Sequence, residues 1–227
     1  MGARLVPAAF AAAAVITGVH AADRVAEALS HPGGRPALVA IYYLLRTIIV
    51  AAFAAFTWRR AEPHRHSREP LALGACAVAI AAVLAFTPPG GGAAPGLILA
   101  GDLVAVLACI WLLASVLALG RCFGVLPEAR GLVTRGPYRA VRHPVYLGEI
   151  AACAGLALAA PSLRNGLVLT VFVGAQLVRT GYEERALAHA FPKYAAYAER
   201  TPRLIPRPAR SRRPITGASA AHAPAAP

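Results

Sequence analysis

Charge is scarce in this chain, and negative charge scarcer still. Asp, Glu, Lys and Arg make up 15% of its 227 residues, and only ten of them are acidic. A typical soluble domain is about 25% charged, so the sequence has too few charged side chains to cover an ordinary water-exposed surface. Lysine is nearly missing, with Lys193 the sole example, and there is a single methionine. Cysteine is sparse as well. Cys76, Cys109, Cys122 and Cys153 form no CxxC or metal-spaced pair, which argues against a disulfide framework and against a zinc site. Three of them fall inside apolar blocks and read as small packing residues. The histidines His20, His64, His66, His189 and His222 show no metal spacing either. No metal is expected.

What the chain has in abundance is apolar sequence, 58% of the total, gathered in long blocks. A bilayer core about 30 Å thick takes about 20 apolar residues at 1.5 Å each. Residues 5–22, 36–58, 70–86 and 97–119 meet that requirement. Two shorter blocks follow, 145–160 and 166–178, split by Pro161, Ser162, Leu163, Arg164 and Asn165. They read as a tight helical hairpin whose second arm runs on past Arg179. The expectation is an all-α, polytopic membrane bundle of five or six spans, with a C-terminal hairpin and a cytoplasmic amphipathic helix. Three regions are expected: spans over 1–118, a core over 119–206, and a disordered basic tail over 207–227.

The net charge of +13 would suggest nucleic acid in a soluble protein. Here the cations lie between and after the apolar blocks, so membrane orientation explains them, and no nucleic-acid partner is expected. With six spans and a cytoplasmic N-terminus, nineteen of the 23 cations fall on the inner side and three on the outer, Arg46 lying within a span. That bias places both termini in the cytoplasm. The Ala, Arg, Gly and Pro bias points to a GC-rich bacterial genome, hence a bacterial cytoplasmic membrane. The start of the chain has a second reading: Arg4, the apolar run and Val19-His20-Ala21 also fit a cleaved signal peptide. Cleavage would leave five spans in unchanged orientation. Arg46 and Asp102 sit inside expected spans, where they either pair with each other or reach water.

Polar residues that could carry chemistry concentrate in two stretches. In the first, 120–149, five arginines, Tyr138 and His143 precede a span. Pro144 suits a first helical position, which makes the helix start beside His143 an anion site. Glu149 then lies about 7.5 Å further along the helix, inside the membrane edge. In the second, 176–200, Arg179 and Glu183 are four apart and share one helical face, with Glu184 and Tyr182 beside them. Should the hairpin fold back, these groups face His143 and Tyr146 at the rim of a lipid-accessible cavity. Tyr194 and Tyr197 read as packing and interface residues.

The run LVTRGPYRAVRHPVYLGE, followed at hairpin distance by RTGYEE and FPKYAAYAERTPRLIP, resembles the isoprenylcysteine carboxyl methyltransferase family, to which phospholipid N-methyltransferases are related. The resemblance covers roughly residues 119–206. It implies a membrane enzyme that uses S-adenosylmethionine, bound by Arg130, Gly131, Leu132, Val133, Tyr138, His143, Pro144, Val145, Tyr146 and Glu183. Arg179 matches the position that meets substrate. Arg130 replaces the histidine found in the eukaryotic enzymes, and Glu183-Glu184 is a shorter acidic cluster than theirs. A carboxylate acceptor, the expected kind, is ionised at neutral pH and needs no base. An ammonium, thiol or phenol needs one, for which Glu149, Glu184 and His143 are candidates. The acceptor is expected to be lipophilic or lipid-linked and to enter from membrane lipid. Two other readings stand beside this one. The C-terminal part of the steroid 5α-reductase family is similar, which would imply a nicotinamide cofactor, although Val145 stands where that family has asparagine. A non-catalytic membrane component is the third.

Overall fold

The computed structural model describes residues 5–59, 69–89, 93–124, 126 and 128–206. Among the described residues seven α-helices follow one another: α1 Leu5–Ser30, α2 Gly34–Trp58, α3 Pro70–Leu84, α4 Pro95–Leu119, α5 Pro144–Ala159, α6 Leu163–Ala190 and α7 Tyr194–Arg200. No β-sheet forms among the described residues. The all-α membrane expectation holds. The expected tail 207–227 lies outside the described residues, as do Arg60, Arg65 and Arg68.

Three helices are long and apolar enough to cross a bilayer: Val6–Ser30, Gly34–Trp58 and Pro95–Cys122. Helices α3 and α5 are equally apolar but shorter, and α6 is long with a polar second half. Large aliphatic side chains stand exposed along these helices, among them Ile48, Val78, Leu107, Leu117 and Val171. In water such a surface would be unfavourable; against lipid tails it costs nothing.

The helices do not pack in chain order. α1 packs on α2, α2 on α4, α4 on α5, α5 on α6, and α6 on α3. The chain thus sends α3 to the far flank and returns through α4 to the centre. Two apolar clusters follow this arrangement. Ala75, Ala79 and Ala82 of α3 meet Cys153, Phe172 and Ala175. Ile49 of α2 meets Cys109, Leu112, Val116 and Val145.

The α4–α5 contact is the closest. A Cβ on Gly101 would stand 2.4 Å from the Ala159 nitrogen, and one on Gly155 would stand 2.6 Å from the Ala105 nitrogen. Missing side chains at both places let the two backbones touch, the common way helices associate where no hydrophobic force drives them together. The Trp111 indole N–H donates to the Pro144 carbonyl at 2.9 Å, which fixes the first turn of α5 against α4.

The hairpin forms as expected. Ser162 caps α6, its hydroxyl accepting from the Asn165 N–H at 3.1 Å, and so satisfies one of the helix's free donors. Asn165, fully buried, ties the turn to the end of α3: its amide donates to Thr87 O at 3.1 Å and Ala160 O at 2.7 Å, and its oxygen accepts from the Thr87 N–H at 3.0 Å. The Arg46–Asp102 pairing does not occur. Asp102 instead meets Arg35 at 3.3 Å, while the Arg46 guanidinium stands over the Tyr43 ring, 5.8 Å from its centroid. Arg35 starts α2 and comes level with Asp102 because the two helices run parallel, whereas Arg46 lies three turns deeper.

Candidate functional site

At the end of the bundle where α4 finishes and α5 begins, the helices splay around a cleft. Its empty space, open mouth included, is about 810 Å³. Its wall has two halves. Phe10, Phe53, Ile80, Leu119 and Phe123 make an apolar side, drawn from α1 to α4 and the segment after it. Glu128, Tyr138, Arg142, His143, Tyr146, Glu149, Arg179 and Glu183 make a polar one.

The polar half is built from local rules. Gly136 takes φ +59°, a conformation side chains resist, and so starts the 3₁₀ turn Gly136–Arg139 that carries Tyr138 inward. His143 is the N-cap of α5 and Pro144 its first residue. The His143 ring is 2% exposed and lies edge-on to Tyr146, centroids 5.6 Å apart. Across the cleft α6 brings its polar half alongside. The Tyr146 hydroxyl donates to Glu183 at 2.8 Å, and the Arg179 guanidinium covers the Tyr146 ring at 4.9 Å. Arg179 donates to the Gln176 side-chain oxygen at 2.6 Å and stands 3.9 Å from Glu149. The Gln176 amide donates to Glu149 in turn. Arg179 is therefore no surface ion pair: it is buried and sandwiched between an aromatic face and a carboxylate.

Behind this wall sits a charged hub. Glu184 accepts from Arg142 at 2.8 Å and stands 3.1 Å from His143 Nε2, with Arg203 at 3.6 Å. Burial pushes the Glu184 carboxyl up, but hydrogen bonds from His143 and Arg142 and their charges outweigh it and hold the group at about 2. Arg142 also donates to the carbonyls of Ala198 at 2.8 Å and Thr201 at 2.7 Å. Two backbone bonds complete the clamp, Arg142 N–H to Pro202 O at 2.8 Å and His143 N–H to Arg203 O at 3.1 Å. Tyr197 of α7 donates to Tyr138 O at 2.7 Å. Burial raises the Tyr138 hydroxyl well above its ordinary range and the Tyr197 hydroxyl to about 12, so both stay neutral donors.

The residues singled out in the sequence divide accordingly. Tyr138, His143, Val145, Tyr146, Glu149, Arg179 and Glu183 line one cleft. Glu184 lies behind it. Pro144 forms the helix start without lining the wall. Arg130, Gly131, Leu132 and Val133 are not among the lining residues; Arg130 is buried against Glu128, which does line it, and Gly131 packs so closely on Cys122 that a Cβ would stand 2.5 Å from its Sγ. Sequence reasoning passed over Arg142, Glu128, Gln176 and the apolar wall from α1 to α3. Arg142 was readable only as a topological charge, although its place beside His143 was a signal. Among the described residues no three His, Cys, Asp or Glu side chains are grouped as metal ligands would be.

A bundle of apolar helices with aliphatic side chains exposed along its flanks is that of an integral membrane protein, and its cleft is polar on one side and apolar on the other. Residues 92–194, the stretch that carries Glu128, Tyr138, Arg142, His143, Tyr146, Glu149, Arg179 and Glu183, match the family model for phospholipid methyltransferases, which supports a membrane methyltransferase family for that part of the chain. Among curated proteins, the chain is 42% identical over 79 residues to a cobalt-zinc-cadmium resistance protein of Cupriavidus metallidurans, and 33% identical over 79 residues to a nickel-cobalt-cadmium resistance protein of Alcaligenes xylosoxydans xylosoxydans. Each match covers 34% of this chain and 36% of the relative, so the chain spans about a third of the length of the curated relatives it matches.

Proposed function

We propose that the cleft holds S-adenosylmethionine against a lipophilic acceptor and that the chain methylates the acceptor, a carboxylate being the favoured kind. The observation that carries the reading is the meeting of Tyr146 with Glu183 at 2.8 Å beside buried His143, opposite a wall of phenylalanine and aliphatic side chains. The cleft's groups fit the cofactor. The α5 start offers first-turn N–H groups to a carboxylate. Glu183 accepts from hydroxyl or amino groups, and the faces of Tyr138 and Tyr146 favour a neighbouring cation.

When bound, the cofactor supplies a methyl group activated by a sulfonium. Methyl transfer is an in-line displacement, so the chain's residues contribute alignment and exclusion of water. The apolar wall admits the acceptor from lipid and keeps water out. Arg179, held face-on to Tyr146 and edge-on to Gln176, orients an acceptor carboxylate that is already ionised. Glu149, 3.9 Å from Arg179, keeps that guanidinium's charge balanced until the acceptor arrives. With this acceptor no general base is needed, and Glu184 acts by holding Arg142 and His143 rather than by touching substrate. The relatives named for metal resistance fit a role in modifying the membrane under metal stress.

Calorimetry on purified protein tests the cofactor. S-adenosylmethionine should bind wild type and bind at least tenfold more weakly to His143→Ala and Glu183→Ala. A well-folded wild type with no such binding would sink the proposal. Lipidomics with labelled methyl donor, comparing deletion and complemented strains, then identifies the acceptor.

A further inference from the structure

A second polar pocket opens between α1 and α2, away from the cleft. His20, Asp23 and Arg24 of α1 and Tyr43 and Arg46 of α2 line about 520 Å³ of open space. Phe10 of α1 belongs to the cleft, and this pocket lies about 15–20 Å further along the same helix at 1.5 Å per residue. Both helices are long and apolar enough to cross a membrane. The same stretches of the two helices carry exposed aliphatics, Ile16 and Val19 on α1 and Ile41, Leu44 and Ile48 on α2.

Charge in that setting is expensive unless it is balanced. Arg24 is balanced by Glu27 at 2.7 Å. Arg46 lies at the middle of α2, and among the described residues no carboxylate stands within ion-pair distance of it. Its guanidinium stands over the Tyr43 ring, 5.8 Å from the centroid, and the Arg24 guanidinium stands 5.7 Å from the same centroid. A tyrosine face offsets only about 0.5–2 kcal/mol of a cation's desolvation. With Arg24 paired to Glu27, the charge left without a close counter-ion is that of Arg46, from which Asp23 of the same pocket stands beyond ion-pair distance, and an oxyanion beside Arg46 relieves that cost.

We propose that this pocket binds the phosphate oxyanion of a membrane lipid headgroup. Arg46 and Arg24 each take phosphate oxygens, for which the guanidinium fork is well shaped. Tyr43 offers its hydroxyl to the same anion. Asp23 and His20 face the rest of the headgroup, where they accept from its hydroxyls. A lipid rather than a dissolved ion is the source because the pocket sits between two helices long and apolar enough to cross a membrane, whose neighbouring positions carry exposed aliphatics. The pocket shares no residue with the cleft and does not depend on the methyltransferase reading.

Native mass spectrometry of full-length protein in detergent, titrated with phosphatidylglycerol, reads the site directly. Wild type should retain one more lipid than Arg46→Gln, with affinity at least tenfold higher, and Arg46→Lys should keep an intermediate affinity. Inorganic phosphate at millimolar concentration should leave the lipid in place. Equal retention by wild type and Arg46→Gln would overturn the proposal, and displacement by inorganic phosphate would overturn the assignment to lipid. Thermal unfolding of Arg46→Gln checks the fold; should that variant fail to fold, Tyr43→Phe, which removes only the hydroxyl, is expected to weaken retention measurably, and no change in it would overturn the proposal equally.

Discussion

Glu184 shows how much one carboxylate organises. It gathers Arg142, His143 and Arg203, and its ionisation at about 2 against an ordinary 4.5 makes its contribution dependent on pH. The folded state holds this proton more weakly than the unfolded chain does. The stabilisation is therefore complete above about pH 4.5 and is lost as the pH falls toward 2. Glu184→Gln should be less stable than wild type at neutral pH and should lack this part of the acid decline. Thermal unfolding in detergent across that range measures both, and an unchanged acid limb would contradict the geometry. At this scale the sequence was only partly legible. Pro144 after His143 announced a helix start, and Glu183 and Arg179 announced a shared face. The hub was not readable, because Arg142 reaches Ala198, Thr201 and Glu184 across about 40 to 60 residues, and nothing local marks such partners. Asp102 misled for the same reason: its neighbour depends on how α2 and α4 slide past each other.

Among the elements, α5 is the one on which the cleft depends. It presents Tyr146 and Glu149 from one face and rests on α4 through Gly155 and Gly148, where a Cβ would stand 2.9 Å from Leu112 Cβ. No neighbouring side chain can yield at Gly155, since the nearest atoms are backbone. Gly155→Leu should push α5 from α4, cost about 1–3 kcal/mol through overpacking and weaken cofactor binding together with stability. Gly166→Leu, where a Cβ meets nothing within 4 Å, should leave both unchanged. Apolar blocks and the Pro161–Asn165 break foretold α5 and the start of α6 to within a few residues, whereas α6 runs on to Ala190, well past the end of its apolar block at 178. The order of packing did not show, because lipid-facing and helix-facing positions are both apolar and the hydrophobic pattern loses its contrast.

For the whole molecule, polar groups mark two ends. Arg35 with Asp102 and the Asn165–Thr87 ties stand at one; Arg121 donating to Arg59 O, with the cleft, stands at the other. The distribution of arginine predicts that the cleft end is cytoplasmic. Reporter fusions after residues 140 and 206 should report the cytoplasm, and one after residue 162 the opposite side; the reverse pattern would overturn the orientation.

The crossing of residues 202–203 over 142–143 sets an order of assembly. Helices α1 to α5 are made well before the segment that clamps Arg142 and His143 from behind exists. Docking of Pro202 and Arg203 therefore comes late, and a shortening that removes them should yield an inserted bundle in which Arg142 and His143 have lost these two backbone acceptors.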